Sequence, residues 1–249
     1  MNDKMSEQEN EMIETLVDVG CSHHVEEKYE EALDSFRQAL TIQEKVLGAS
    51  HPDVGDTYNR VGGVHESMRN LPAAMKYYRK ALAAYKGAGT KQFDIARVYS
   101  DMASVYKRQK NYQQAAIYYR KALDIYEKMD NYKHIFMAVT CNAIGAVHAS
   151  SGSFSGALEW YHKALAIRGE MPYSYTASTA DIYYNIGFAY NRMGEYGQSL
   201  GWLHKALDLY KKELSKGKPS PGLLDRIRNT YAITDNPKPF EEWLQGNIV

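Results

Sequence analysis

The sequence carries no surplus of either charge: 30 lysines and arginines meet 30 aspartates and glutamates, for a formal net charge of zero. General binding of nucleic acid or polyanions needs a basic surplus, so no nucleic-acid partner is expected. Cysteine is scarce as well. Cys21 and Cys141 are the only two, neither in a CxxC or Cys/His spacing, which excludes a disulfide framework and a structural zinc site and implies a reducing compartment. No window approaches about eighteen consecutive apolar residues, and the polar opening MNDKMSEQEN leads into no signal-like apolar stretch. These absences point to a cytoplasmic protein without a membrane partner. GxSxG, GxxxxGK[ST], HExxH and a GxGxxG after a strand are all missing, so the expectation is no enzyme, no catalytic residue, no metal and no cofactor.

What the chain does contain is itself, five times over. The segments YEEALDSFRQAL, LPAAMKYYRKAL, YQQAAIYYRKAL, FSGALEWYHKAL and YGQSLGWLHKAL start at Tyr29, Leu71, Tyr112, Phe154 and Tyr196, a period of 41 or 42 residues. Nine residues before each start stands a small residue: Gly20, Gly62, Ala103, Gly145, Gly187. Within the segments run the columns Ala32/Ala74/Ala115/Ala157/Ser199, Phe36/Tyr78/Tyr119/Tyr161/Leu203 and Ala39/Ala81/Ala122/Ala164/Ala206, at offsets of three and four. Such offsets are helical, and small residues set against large aromatics are what two helices of a hairpin need where they approach closely. Met68-Arg69-Asn70 and Gly194-Glu195 leave room only for tight turns between them. A unit this regular contacts mainly its neighbours, which predicts an all-α solenoid of five hairpins.

These columns resemble the tetratricopeptide repeat over roughly residues 12–212. They depart from it in the column usually held by Trp, here Leu16, Tyr58, Tyr99, Cys141 and Tyr183, and in a period longer than the usual one of about 34 residues. Repeats of this length are similar to those of kinesin light chain, whose linker the junction KVLGASHPDV (45–54) resembles. The resemblance implies a right-handed superhelix, a protein or peptide partner, and first helices that line a concave groove.

On those first helices the core columns leave certain side chains free. Three residues before the small column stand Asn59, Asn142 and Tyr184, with Asn185 one further on; asparagine offers both a donor and an acceptor, matching an extended peptide backbone. Arg97, Lys107, Arg108, Asn191 and Arg192 occupy further free positions and would give the middle and carboxy-terminal groove a basic lean toward acidic groups. The Lys/Asn/Arg arrangement with which chaperone-binding relatives clamp a terminal carboxylate is not reproduced, since Asp101 follows Arg97 by four. For the asparagines the alternative is a hydrogen bond to a neighbouring helix. His23, His65 and His148 share one column of different repeats, too far apart to ligate a common ion at about 2 Å, and read as packing residues.

The ends read differently. Residues 1–50 carry twelve acidic and four basic residues, a net of −8 that the remaining chain balances. Ser220-Pro221 is a good helix start leading into GLLDRIRNTYAI, a capping helix for the last apolar face, while Pro237 and Pro239 isolate the apolar residues Phe240, Trp243 and Leu244. The organisation expected is therefore a polar segment over 1–11, five tandem repeats over 12–217, a capping helix over 218–236 and a tail over 237–249. The function expected is that of a non-enzymatic scaffold or adaptor binding a peptide in its groove, the alternative being a peptide-sensing receptor whose superhelix changes shape. The oligomeric state is not legible.

Overall fold

The computed structural model describes residues 6–89, 92–129, 133–169, 176–214 and 223–233, with 242 and 245. Every element among them is an α-helix: α1 (Glu7–Val25), α2 (Tyr29–Val46), α3 (Pro52–Ser67), α4 (Leu71–Ala88), α5 (Gln92–Arg108), α6 (Tyr112–Glu127), α7 (Lys133–Ser150), α8 (Phe154–Gly169), α9 (Thr176–Arg192), α10 (Tyr196–Leu214) and α11 (Leu223–Ile233). The second helix of every repeat starts at the aromatic or leucine that opens the repeated segment. Two compact units divide the chain, Met1–Tyr126 and Glu127–Val249.

Local chemistry explains where the helices begin and end. Ser6 caps α1 in a full capping box with Glu9, His51 caps α3 through its Nδ1 with Pro52 behind it, and Asn70 caps α4 with its side-chain oxygen. α1 thus begins inside the segment that the sequence sets apart as polar. Each first helix closes in the same way: the N–H groups of Lys28, Asn70, Asn111, Ser153 and Glu195 reach back five residues to the carbonyls of His23, His65, Tyr106, His148 and Tyr190. This is the Schellman closure, and it requires a left-handed residue one position earlier. Gly152 and Gly194 supply it without strain, whereas Glu27, Arg69 and Lys110 take it with φ near 60°.

In the first unit α1 packs on α2, α3 on α4, and each hairpin on the next, around Leu33, Phe36, Val54, Tyr78, Tyr85 and Met102. The small column is where the helices of each hairpin nearly touch. A Cβ added at Gly20 would lie 2.7 Å from the Phe36 ring, and at Gly62 2.5 Å from the Tyr78 ring. In the second unit the same contact recurs at Gly145, 2.4 Å from Tyr161, and at Gly187, 2.7 Å from Leu203. Here α7 pairs with α8 and α9 with α10, and α11 covers α10 by placing Tyr231 against Ala206, Leu207 and Tyr210. The capping role expected of this helix is therefore met; its expected Ser220-Pro221 start lies outside the described residues, as do residues 237–241, 243–244 and 246–249. No helix is long and apolar enough to cross a membrane among the described residues.

Candidate functional site

Consecutive first helices are joined by polar links between residues about one repeat apart. Within the first unit His24 Nε2 meets Ser67 Oγ at 3.0 Å, Arg60 Nη1 donates to Cys21 Sγ at 2.9 Å, and Arg108 Nε donates to Glu66 Oε1 at 3.0 Å. Glu66 collects two further donors, Tyr78 Oη at 2.9 Å and Ser104 Oγ at 2.7 Å. Arg97 lies 3.2 Å from Asp94 and 3.6 Å from Asp56, whose carboxylate also accepts from Tyr85 Oη. The basic lean expected of these positions is thus neutralised in the first unit, because Arg97 and Arg108 are each met by an acid of α3. Lys107, half-buried beside them, has its pKa lowered by burial and by Arg108.

Between α1, α3 and α5 opens a pocket of about 390 Å³ lined by Cys21, His24, Val25, Asn59, Arg60, Gly63, Arg97 and Asp101, with Phe36 and Tyr78 of the second helices among its walls. Asn59 is 9% exposed, and its Oδ1 has no hydrogen-bond partner. Its amide lies on the same pocket as the Asp101 carboxyl and favours the ionised form of that carboxyl. Burial pushes Asp101 up to about 6, with Glu66 adding to the shift and Asn59 and Arg97 opposing it. His24 is held below its usual pKa by burial.

The second unit places the other candidates. Asn185 Nδ2 donates to Asn142 Oδ1 at 2.9 Å, which ties α9 to α7. Tyr184 stacks on Phe188 with ring centroids 6.3 Å apart, and burial raises its pKa. The guanidinium of Arg192 sits over the Phe154 ring at 5.6 Å, on a pocket of about 430 Å³ that includes Ala149, Ser150, Gly152 and Phe188. Asn191 precedes it at the end of α9, half-buried. Asn59, Arg97, Lys107 and Arg108 therefore belong to the first unit, and Asn142, Tyr184, Asn185, Asn191 and Arg192 to the second.

Two features are less plain in the sequence. The acids Asp56 and Glu66, free first-helix positions that stand against these bases, organise the face, since Asp56 lies near Arg97 and Glu66 accepts from Arg108. A lysine column, Lys80, Lys121, Lys163 and Lys205, lies over the aromatic column Tyr77, Tyr118, Trp160 and Trp202 at 5.6, 4.7, 5.2 and 4.2 Å. The signal was present, because each lysine follows its aromatic by three residues in four successive repeats. His65 stacks on Tyr77 at 5.4 Å, consistent with a packing role. No group of acids, histidines and cysteines suited to a metal occurs among the described residues. The buried Cys141 thiol is pushed up to about 11 by burial, which makes it a poor nucleophile.

The sequence profile of the tetratricopeptide repeat matches residues 11–87 and 94–170, and a second profile of the same repeat matches residues 179–220. No curated protein matches the chain. Among solved structures, BtubC (BKLC) from P. vanneervenii is 20% identical, with a TM-score of 0.72 over 84% of this chain and 83% of its own. The nearly identical TPR-like repeats of a kinesin light chain from Podosopora anserina are 15% identical, with a TM-score of 0.67 over 80% of this chain and 95% of theirs. Aspartyl phosphate phosphatase F from Bacillus subtilis is 18% identical, with a TM-score of 0.80 over 96% of this chain and 59% of its own. At these identities the likeness is one of fold.

Proposed function

Because the chain belongs to the tetratricopeptide repeat family, a family of protein-interaction modules, we propose that it is a non-enzymatic adaptor that holds a peptide segment of a partner protein along its first helices. The observation that carries this reading is the pocket between α1, α3 and α5, where Asn59 keeps a buried oxygen without a donor. A native protein rarely leaves such an acceptor empty unless something fills it. Arg97, Lys107 and Arg108 are the contacts that the first unit would offer such a segment, and Asn142, Tyr184, Asn185, Asn191 and Arg192 are those that the second unit would offer. The division into repeats over 12–217, a cap over 218–236 and a tail over 237–249 is part of the proposal, as is a cytoplasmic location.

The test is selection from a random twelve-residue peptide library displayed on phage. Peptides enriched on the wild type should bind in solution and lose at least tenfold in affinity with Asn59→Ala, circular dichroism confirming that the variant keeps its helix. Failure to enrich any peptide, or equal binding by the folded variant, would defeat the reading.

A second reading is a receptor whose shape responds to the peptide. It is favoured by the location of Asn59–Asp101 and Glu66–Arg108 at the contact between α3 and α5, so that a ligand drawing on these groups acts on the packing of one repeat against the next. Small-angle scattering with and without a selected peptide separates the two readings, since a plain adaptor keeps its profile.

A further inference from the structure

Two carboxylates stand close together on α3 and α5, and they differ in what reaches them. Glu66 has a guanidinium and two hydroxyls, from Arg108, Tyr78 and Ser104. Asp101, half-buried in the pocket wall, has the neutral amide of Asn59 beside it and feels the charge of Arg97, but it makes no ion pair within 4 Å among the described residues. The two arginines on the pocket are turned to other partners: Arg60 to Cys21 Sγ at 2.9 Å, and Arg97 to Asp94 at 3.2 Å and Asp56 at 3.6 Å. Beside Asp101, Asn59 Oδ1 is a second acceptor with no donor. Two neighbouring acceptors, one of them charged, ask for a cation that carries several N–H groups.

The rest of the pocket fits the stem of such a group. Val25, Phe36 and Tyr78 line it with apolar surface. Gly63 leaves it open, since a Cβ there would meet nothing closer than His24 Cε1 at 3.9 Å. A long aliphatic stem packs on surface of this kind while its charged head reaches the polar end.

We propose that this pocket is a specificity site for a lysine or arginine side chain of the bound peptide, the stem lying on Phe36 and Tyr78 and the head group donating to the Asp101 carboxylate and to Asn59 Oδ1. The assignment rests on the peptide-binding reading above and narrows it, because it fixes the charge of one ligand residue. A glutamate or aspartate side chain brought to the same place would add an acceptor to two existing ones and be rejected.

The experiment uses the same library with the full chain. Peptides enriched on the wild type should carry Lys or Arg at one fixed position. Replacing that residue in a synthetic peptide by norleucine or citrulline, which keep the shape and remove the charge, should weaken binding to the wild type at least tenfold. Against Asp101→Asn the charged and neutral peptides should bind within about twofold of each other. Enriched peptides with no fixed basic residue overturn the assignment and leave the peptide-binding reading standing. So does an equal loss on charge removal for wild type and Asp101→Asn. If Asp101→Asn fails to fold, the peptide exchange on the wild type still decides, since equal affinity of the charged and neutral peptides defeats the site. Enrichment of nothing removes the peptide-binding reading and the assignment with it.

Discussion

Asn185 donates from Nδ2 to Oδ1 of Asn142 at 2.9 Å, so two residues that the sequence offers as peptide contacts satisfy one another across α9 and α7. Both are half-buried, and each keeps capacity for a further bond, since an amide has two donors and a two-lone-pair acceptor. The pair therefore stabilises the second unit and still presents polar groups. A double-mutant cycle of Asn142→Ala and Asn185→Ala, followed by urea unfolding, should give a coupling of about 0.5–1.5 kcal/mol. Additive single effects would mean that the bond contributes nothing.

Asp101 should make stability depend on pH. The groups near it are Asn59 and Glu66 of α3, Arg97 of its own helix, Tyr78 of α4 and Tyr119 and Tyr126 of α6, with Cys21, His24 and Arg60 on the same pocket. Its folded pKa of about 6 lies above the ordinary 3.8, with burial as the main cause. The folded protein therefore keeps the proton where the unfolded chain has released it. That contribution is fully present below the unfolded pKa and is lost as pH rises through 6, so the ionised carboxylate costs up to about 3 kcal/mol at neutral pH. Asp101→Asn should raise the thermal midpoint at pH 7.5, with the gain fading toward pH 4. An unchanged or lower midpoint at pH 7.5 would contradict this electrostatic account. A variant that gains stability while losing ligand selectivity would be the usual mark of a functional residue.

The small column should not tolerate even a methyl group. A Cβ at Gly145 falls 2.4 Å from the Tyr161 ring and 3.1 Å from the Ala157 carbonyl oxygen, so the hairpin of α7 and α8 must open to admit it. Gly145→Ala should cost about 1–3 kcal/mol by chemical denaturation. The converse change at Ala103, which already carries a methyl at the equivalent position of α5, should leave a small gap and cost about 1 kcal/mol or less.

The left-handed turn position makes an opposite prediction for glycine. Arg69 holds φ 59° between α3 and α4, and Gly152 holds φ 85° between α7 and α8. Arg69→Gly should stabilise by roughly 0.5–1 kcal/mol once the greater freedom of glycine in the unfolded chain is set against the relief of strain. Gly152→Ala should destabilise by about 1–2 kcal/mol. Thermal unfolding of the two variants reads both signs.

The hairpins were legible because packing within a repeat is local. A ring at Tyr78 meets Gly62 sixteen residues earlier, and the same interval recurs at Phe36 with Gly20 and at Tyr161 with Gly145. The starts of α2, α4, α6, α8 and α10 followed from that periodicity. The first-helix face was less legible, because its residues meet partners a whole repeat away, and the partner depends on how one hairpin is turned against the next. Arg108 meets Glu66, forty-two positions earlier, and Asn185 meets Asn142, forty-three earlier; the repeats concerned are 41 and 42 residues long, so each partner stands one position past the equivalent residue, an offset that reading down one column of equivalent positions does not show. For the same reason Asp101 reads in the sequence only as a departure from a carboxylate clamp, although the fold sets it on one pocket with Asn59.

The most direct measurement of the central claim is photo-crosslinking. A library-selected peptide carrying one benzophenone would be irradiated with the protein, and the attached residues mapped by mass spectrometry. Attachment to α1, α3 and α5, around the pocket of Cys21, Asn59 and Asp101, is the result expected of a module that holds its partner on the first helices. Attachment confined to α2, α4 and α6, along the lysine-covered aromatic column of Tyr77 and Tyr118, would contradict it.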